Sequence, residues 1–150
     1  MSLAKLYYHI IFRPKNSKRV ITEEYQEKLY MFIWSLCKKK NCYLHRINGM
    51  TDHIHMLVEI PVTLSVADFV RDIKVGANVF MKNNRKMFPY FEGWGRSYCV
   101  LSYSKSEIEI VKEYIKNQKT HHAKHSYAEE LRKLYIENGV EFKEEYLLKD

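Results

Sequence analysis

Between residues 53 and 60 the chain alternates strictly: Ile54, Met56, Val58 and Ile60 make one apolar face, and His53, His55, Leu57 and Glu59 make the other. A period-two pattern predicts a strand, here with one side packed on a core and a second, working side of imidazoles and carboxylate. Aromatic and β-branched residues at 4–13, ended by Pro14, predict a strand before it. Thr22 as cap, Glu23 and Glu24 in the first turn, and a Tyr25, Leu29, Phe32, Leu36 stripe predict a helix running to Lys38-Lys-Lys40. Residues 43–48 then pair with 53–60 as a hairpin turning at Gly49 to Asp52, and Pro61 closes it.

Ser65-Val-Ala-Asp68 is a capping-box signature for a second helix. Val66, Phe69, Val70, Ile73, Ala77 and Phe80 would face inward, with Arg71, Lys74, Asn78, Lys82 and Arg85 opposite. After a Gly/Pro/aromatic loop at 88–95, residues 96–103 read as a fourth strand, and Ser104 caps a third helix with Ile108, Val111 and Ile115 inward. Ser126 opens a last helix that Gly139 ends. The order βαββαβ predicts an α+β fold: a ferredoxin-like or RRM-like antiparallel sheet with additional C-terminal helices, one domain over residues 1–150. That fold hosts many functions, so function has to be argued from side chains.

Composition narrows the partners. The net charge is +7, from 25 Lys and Arg against 18 Asp and Glu, and the acidic residues gather late, at Glu129, Glu130, Glu137, Glu141, Glu144 and Glu145. The first 125 residues are therefore more basic than the average, which favours a polyanionic partner. The stripe on the second helix fits a solvated face first and a phosphate-backbone track second. Tyr90, Phe91 and Trp94 are rings for stacking on unpaired bases, or a hydrophobic plug under their loop. No apolar run approaches the ~18 residues that span a bilayer, and the N-terminus lacks the apolar core of a secretion signal. Cys37, Cys42 and Cys99 have no close metal-ligand spacing and read as reduced thiols, so a cytoplasmic protein is expected.

Two short motifs carry the chemistry. On a strand, His53 and His55 share a face with their Cα atoms roughly 6–7 Å apart. On a helix, Tyr114 and Gln118 stack one turn apart. Two imidazoles, an amide oxygen and a phenol suit a divalent-metal site with a tyrosine nucleophile beside it, a combination fit for cutting a phosphodiester. Each part alone is weak: His-x-His arises by chance among seven histidines, Tyr114 is one of twelve tyrosines, and a lone Gln118 is an ordinary surface residue. Asp52 reads first as the end of the hairpin turn and second as an orienting partner of a histidine. His121 and His122, three and four positions past Gln118, could reach the metal, shuttle a proton, contact DNA or lie in solvent, and neither is assigned as a catalyst.

Together with their flanks, the motifs resemble a known family. Asp52-His-Ile-His-Met-Leu-Val58 followed by a capped helix, then Tyr114-Ile-Lys-Asn-Gln118 with His121 and His122 beyond it, resembles the single-tyrosine HUH transposases. Tyr8-His-Ile-Ile-Phe-Arg-Pro-Lys15 and Ile136-Glu-Asn-Gly-Val-Glu-Phe-Lys-Glu-Glu-Tyr146 also fit the pattern, so the resemblance spans nearly the whole chain. It implies metal ligands at His53, His55 and Gln118 and a nucleophile at Tyr114, with Mg²⁺ or Mn²⁺ as cofactor. It further implies hairpin-bearing single-stranded DNA as substrate, a 5′-phosphotyrosine intermediate, and a homodimer. Arg13, Lys15, Lys18, Arg19, Arg71, Lys74 and Arg85 are the candidate DNA-backbone contacts. Two rivals use the same residues differently: a non-catalytic nucleic-acid-binding module, and a metal-dependent phosphoesterase with water as nucleophile.

Overall fold

The computed structural model describes residues 3–149. Its elements are β1 (Tyr7–Pro14), α1 (Gln26–Lys39), β2 (Tyr43–Met50), β3 (His53–Glu59), α2 (Val66–Lys82), β4 (Trp94–Tyr103), α3 (Ile108–Lys116), α4 (Gln118–His122) and α5 (Tyr127–Glu137). The four strands form one antiparallel sheet in the order β2-β3-β1-β4, the expected ferredoxin-like arrangement. Among the described residues no helix is long and apolar enough to cross a membrane.

Alternation along the central strands divides the hydrophobic residues between two faces. Ile10 and Phe12 of β1 and Ile54, Met56 and Val58 of β3 pack against Leu29 and Ile33 of α1 and Phe69, Ile73 and Ala77 of α2. The opposite face is covered too. Tyr7 and Leu57 pack against Ile108, Val111 and Ile115 of α3, and Ile11, Cys99 and Leu101 against Tyr127, Leu131 and Leu134 of α5. The histidine face of β3, expected to be the working face, is roofed by the C-terminal helices, with His53 and His55 fully buried.

Three boundaries and one buried stripe differ from the sequence pattern, each for a local reason. Thr22 does not cap a helix: its hydroxyl donates to the Met87 carbonyl at 2.8 Å, and a 3₁₀ turn over Glu23–Tyr25 precedes α1. The buried stripe of α1 is accordingly Leu29, Tyr30, Ile33 and Cys37, while Phe32 stacks at its edge on Phe80 with centroids 4.4 Å apart. The hairpin turn shrinks to Thr51 and Asp52, because Gly49 stays in β2 opposite Ile54. Last, the helix through Tyr114 and Gln118 is interrupted at Asn117 (φ −93°, ψ 17°), so three helices rather than two follow β4. The caps of the later helices hold, since Ser65 Oγ accepts from the Asp68 N–H at 3.1 Å and Ser126 Oγ from the Glu129 N–H at 3.2 Å.

Candidate metal and nucleophile site

His53 and His55 hang from β3, paired with β1 on one side and β2 on the other. Their outer nitrogens are occupied. His53 Nδ1 lies 2.7 Å from Asp52 Oδ1, and His55 Nδ1 lies 2.7 Å from His9 Nε2 on β1. Both Nε2 atoms therefore turn toward the roof. Tying the outer nitrogen in this way sets the ring orientation and leaves the inner one for a ligand. His53 is further fixed by stacking on Tyr127, with centroids 4.2 Å apart and planes 15° off parallel.

Under the roof the two imidazoles meet a residue the sequence reading passed over. Glu130 on α5 is 2% exposed. Its Oε1 lies 2.9 Å from His55 Nε2, 3.3 Å from His53 Nε2 and 2.9 Å from His122 Nε2. Its Oε2 accepts from the Gln118 amide at 2.7 Å and from the Tyr114 hydroxyl. The Gln118 carbonyl oxygen in turn sits 3.2 Å from His53 Nε2. One carboxylate thus holds the histidine cradle with one oxygen and the tyrosine with the other.

Charge in this knot is unevenly shared. Burial would raise the Glu130 carboxyl, but the surrounding imidazoles, His55 foremost, outweigh it and hold the group far below the usual carboxylate range. Burial pushes His55 down to about 4, only partly offset by Glu130. His53 goes the other way: burial lowers it, yet its bonds to Asp52 and Glu130 prevail and keep it raised. Burial, followed by the Glu130 charge, lifts the Tyr114 phenol above its ordinary range, so it rests protonated.

The donor set fits a divalent cation. The ligand atoms of His53, His55, His122 and Glu130 all lie within 4.8 Å of one another, with the Gln118 oxygen beside them. Imidazole nitrogens with anchored outer nitrogens, plus carboxylate and amide oxygens, suit ions such as Mn²⁺ and Mg²⁺. An ion there would serve as a Lewis acid for a phosphoryl oxygen.

The remaining candidates scatter. Arg13 is 2% exposed, donating to Ser17 Oγ at 3.0 Å and Ser97 Oγ at 3.2 Å, and so braces β1 instead of facing DNA. Lys15, Lys18 and Arg19 are exposed in the β1–α1 loop, with Lys18 paired to Glu92 at 3.1 Å. Arg19 lines a cavity of about 490 Å³ together with Asp52, His122 and Lys124. Arg71 pairs with Asp68 and Asp72, Lys74 donates to the Gly95 carbonyl at 2.8 Å, and Arg85 to the Phe91 carbonyl at 2.6 Å. Arg71 and Lys74 share a groove with Trp94 and Tyr98. Phe91 is fully buried and Trp94 packs edge-on against it and Phe12, so these two rings plug the core while Tyr90 stays exposed.

Asp52 and His9 thus orient the histidines, and Glu130 and His122 complete the cluster. Glu130 left one signal in the sequence: Tyr127, Glu130, Leu131 and Leu134 form a single buried stripe, with a carboxylate in its middle.

The profile of the family described as "Transposase IS200 like" matches residues 2–118. The transposase for insertion sequence element IS200 of Salmonella typhimurium is 30% identical over 115 residues, covering 74% of this chain and 75% of its own length. The ISDra2 transposase TnpA of Deinococcus radiodurans is 25% identical over 124 residues, covering 76% and 84%. A crystal structure from Deinococcus radiodurans assigned as a transposase superposes with a TM-score of 0.60 at 26% identity, over 78% of this chain and 93% of that one. A REP-associated tyrosine transposase, solved bound to a REP hairpin, superposes with a TM-score of 0.57 over 81% and 74%, and at 13% identity is alike in fold. The matched stretch runs from β1 through the His-x-His strand to Tyr114 and Gln118 and stops before α5. With four-fifths of its length inside that family's profile, this chain belongs to the IS200-like, single-tyrosine HUH transposases.

Proposed function

We propose that the protein cuts and rejoins single-stranded DNA through a covalent bond between Tyr114 and the 5′ phosphate at the cut. The observation that carries this reading is the Tyr114 hydroxyl bonded to the same carboxylate that gathers His53 and His55 within one chain. His53, His55 and Gln118 would hold Mg²⁺ or Mn²⁺, and the ion would offset negative charge building on the phosphoryl oxygens. Tyr114 Oη attacks phosphorus, and the bond from phosphorus to the 3′ oxygen breaks. The Glu130 Oε2 that accepts the phenol hydrogen bond orients the hydroxyl. The phenol proton is given up to water as the bond to phosphorus forms, and the departing oxygen takes a proton from water to become a 3′-hydroxyl. Because the phosphotyrosine conserves the energy of the broken bond, a second 3′-hydroxyl reverses the attack and joins strands without ATP.

The substrate in this reading is a hairpin-bearing single strand. Lys15, Lys18 and Arg19 track its backbone near the site, and Arg71, Lys74 and Arg85 do so along α2. The chain acts in the cytoplasm as a single domain and pairs as a homodimer. Labelled single-stranded DNA carrying the hairpin that flanks the gene, incubated with Mg²⁺ or Mn²⁺ and run on a denaturing gel, tests the proposal. The expected result is a metal-dependent protein–DNA band, absent in Tyr114→Phe and weak in His53→Ala. DNA shifted on a native gel with no covalent band under either metal would leave a binding module. Cleavage indifferent to Tyr114→Phe would leave a phosphoesterase using water.

A further inference from the structure

Glu130 and His122 lie beyond the stretch the family profile matches, yet they close the cradle from the roof side. His122 repeats the pattern of the two strand histidines. Its Nδ1 is tied to the His125 carbonyl at 2.8 Å, and its Nε2 points at Glu130 Oε1. All three rings thus present an inner nitrogen to one carboxylate oxygen, each with its outer nitrogen anchored: by Asp52, by His9, or by backbone.

We propose that Glu130 and His122 are themselves ligands of the ion, making a nitrogen-rich centre with His53, His55 and Gln118 that takes Mn²⁺ in preference to Mg²⁺. This rests on the reading that His53, His55 and Gln118 hold a metal. Three arguments converge on it. Adjacent donors on an ion with bonds of about 2.1 Å stand about 3 Å apart. The pairs His55–Glu130, His122–Glu130, His53–Gln118 and His53–Glu130 stand 2.9, 2.9, 3.2 and 3.3 Å apart. Charge points the same way. A divalent ion held only by imidazoles and an amide would leave two positive charges uncompensated between fully buried side chains, and among the described residues Glu130 is the one carboxylate with an oxygen among them. Finally, three imidazoles favour Mn²⁺ over Mg²⁺, which prefers oxygen donors and retained water.

A buried carboxylate bonded to three imidazoles admits the opposite function, a plug that an incoming ion has to displace. Mn²⁺ binding to the protein alone, followed without DNA by the electron-paramagnetic-resonance signal of free Mn²⁺, separates the two. As ligands, Glu130→Gln and His122→Asn each weaken Mn²⁺ binding by roughly tenfold or more, and Mg²⁺ displaces Mn²⁺ only in large excess. Glu130→Gln binding Mn²⁺ as tightly as the unaltered protein, or more tightly, overturns the proposal. If that variant does not fold, His122→Asn decides alone: tenfold weaker binding supports the proposal and unchanged binding sinks it. His53→Ala is the reference. Should it too leave Mn²⁺ binding unchanged, the reading of the strand histidines as ligands has failed, rather than the assignment of Glu130.

Discussion

Gly49 sits in β2 opposite Ile54, one pair away from the Met50–His53 rung that precedes the turn. A methyl group there would overlap the His53 carbonyl oxygen and lie 3.0 Å from Ile54 Cα. Both obstacles are backbone, which has no rotamer to escape into. Ordinary contact returns only if the strands part by on the order of 1 Å, and such overpacking costs about 1–3 kcal/mol. For a domain of this size that lowers Tm by on the order of 3–10 °C. The displaced atoms belong to His53, so the larger effect is chemical: a shift of about 1 Å in a reacting constellation can cost on the order of a hundredfold in rate. Gly49→Ala is therefore expected to melt several degrees lower, bind Mn²⁺ more weakly and lose most DNA cleavage. Gly76→Ala is the matched control. Its methyl would meet the Leu36 side chain, Cδ1 at 2.7 Å and Cδ2 at 3.3 Å, the movable end of a side chain far from the site. Thermal melts, Mn²⁺ titration and the cleavage gel on both variants check this. A Gly49→Ala protein matching the unaltered one in all three would refute the account of that glycine.

Three further outcomes follow from the same geometry. Asp52→Asn keeps the shape beside His53 Nδ1 but removes the charge 2.7 Å away, and should weaken Mn²⁺ binding roughly tenfold in a titration. Leu57→Ala empties a fully buried position against Ile108, Val111 and Ile115, and should cost about 3 kcal/mol in urea unfolding while loosening the helix that carries Tyr114. In EDTA, stability should peak near pH 6.5. Below it the unfolded chain protonates His55, which the folded chain keeps neutral to about pH 4, so stability falls as pH falls. Above 6.5 the folded chain keeps the His53 proton that the unfolded chain has lost, so stability falls again as pH rises through the raised value. Melting curves across pH 4–9 check this, and a flat profile from 6.5 to 8 would contradict the role given to His53.

What could be read from the sequence depended on whether a residue's role showed in local periodicity. His53 and His55 alternate against Ile54, Met56 and Val58, so their shared face was legible, and the sheet order followed from the element order. The roof over that face was not, because nothing local says where a C-terminal helix docks. Glu130 was hidden by a second meaning. One turn past the Ser126 cap, a glutamate satisfies the helix dipole and needs no further explanation, although its place in the Tyr127–Leu131–Leu134 stripe marks it as buried. His9 was hidden by β1, where it sits between Tyr7 and Ile11 in a strand that reads as wholly apolar. The break at Asn117 went unseen because Tyr114 and Gln118 keep helical spacing across it.

β1 and β3 are the two inner strands, each hydrogen-bonded on both sides. Their amides can meet solvent only when the sheet itself unzips, so His9, His53 and His55 hang from backbone that should exchange its hydrogens last. Tyr114 hangs instead from a helix of nine residues, fixed to the sheet by aliphatic contacts and by Asn48 Nδ2, which donates to the Ile115 and Lys116 carbonyls, and to α5 through Glu130. The two halves of the site should thus open on different clocks: a cradle that persists as long as the fold does, and the proposed nucleophile on an outer helix that can part from the sheet without unzipping it.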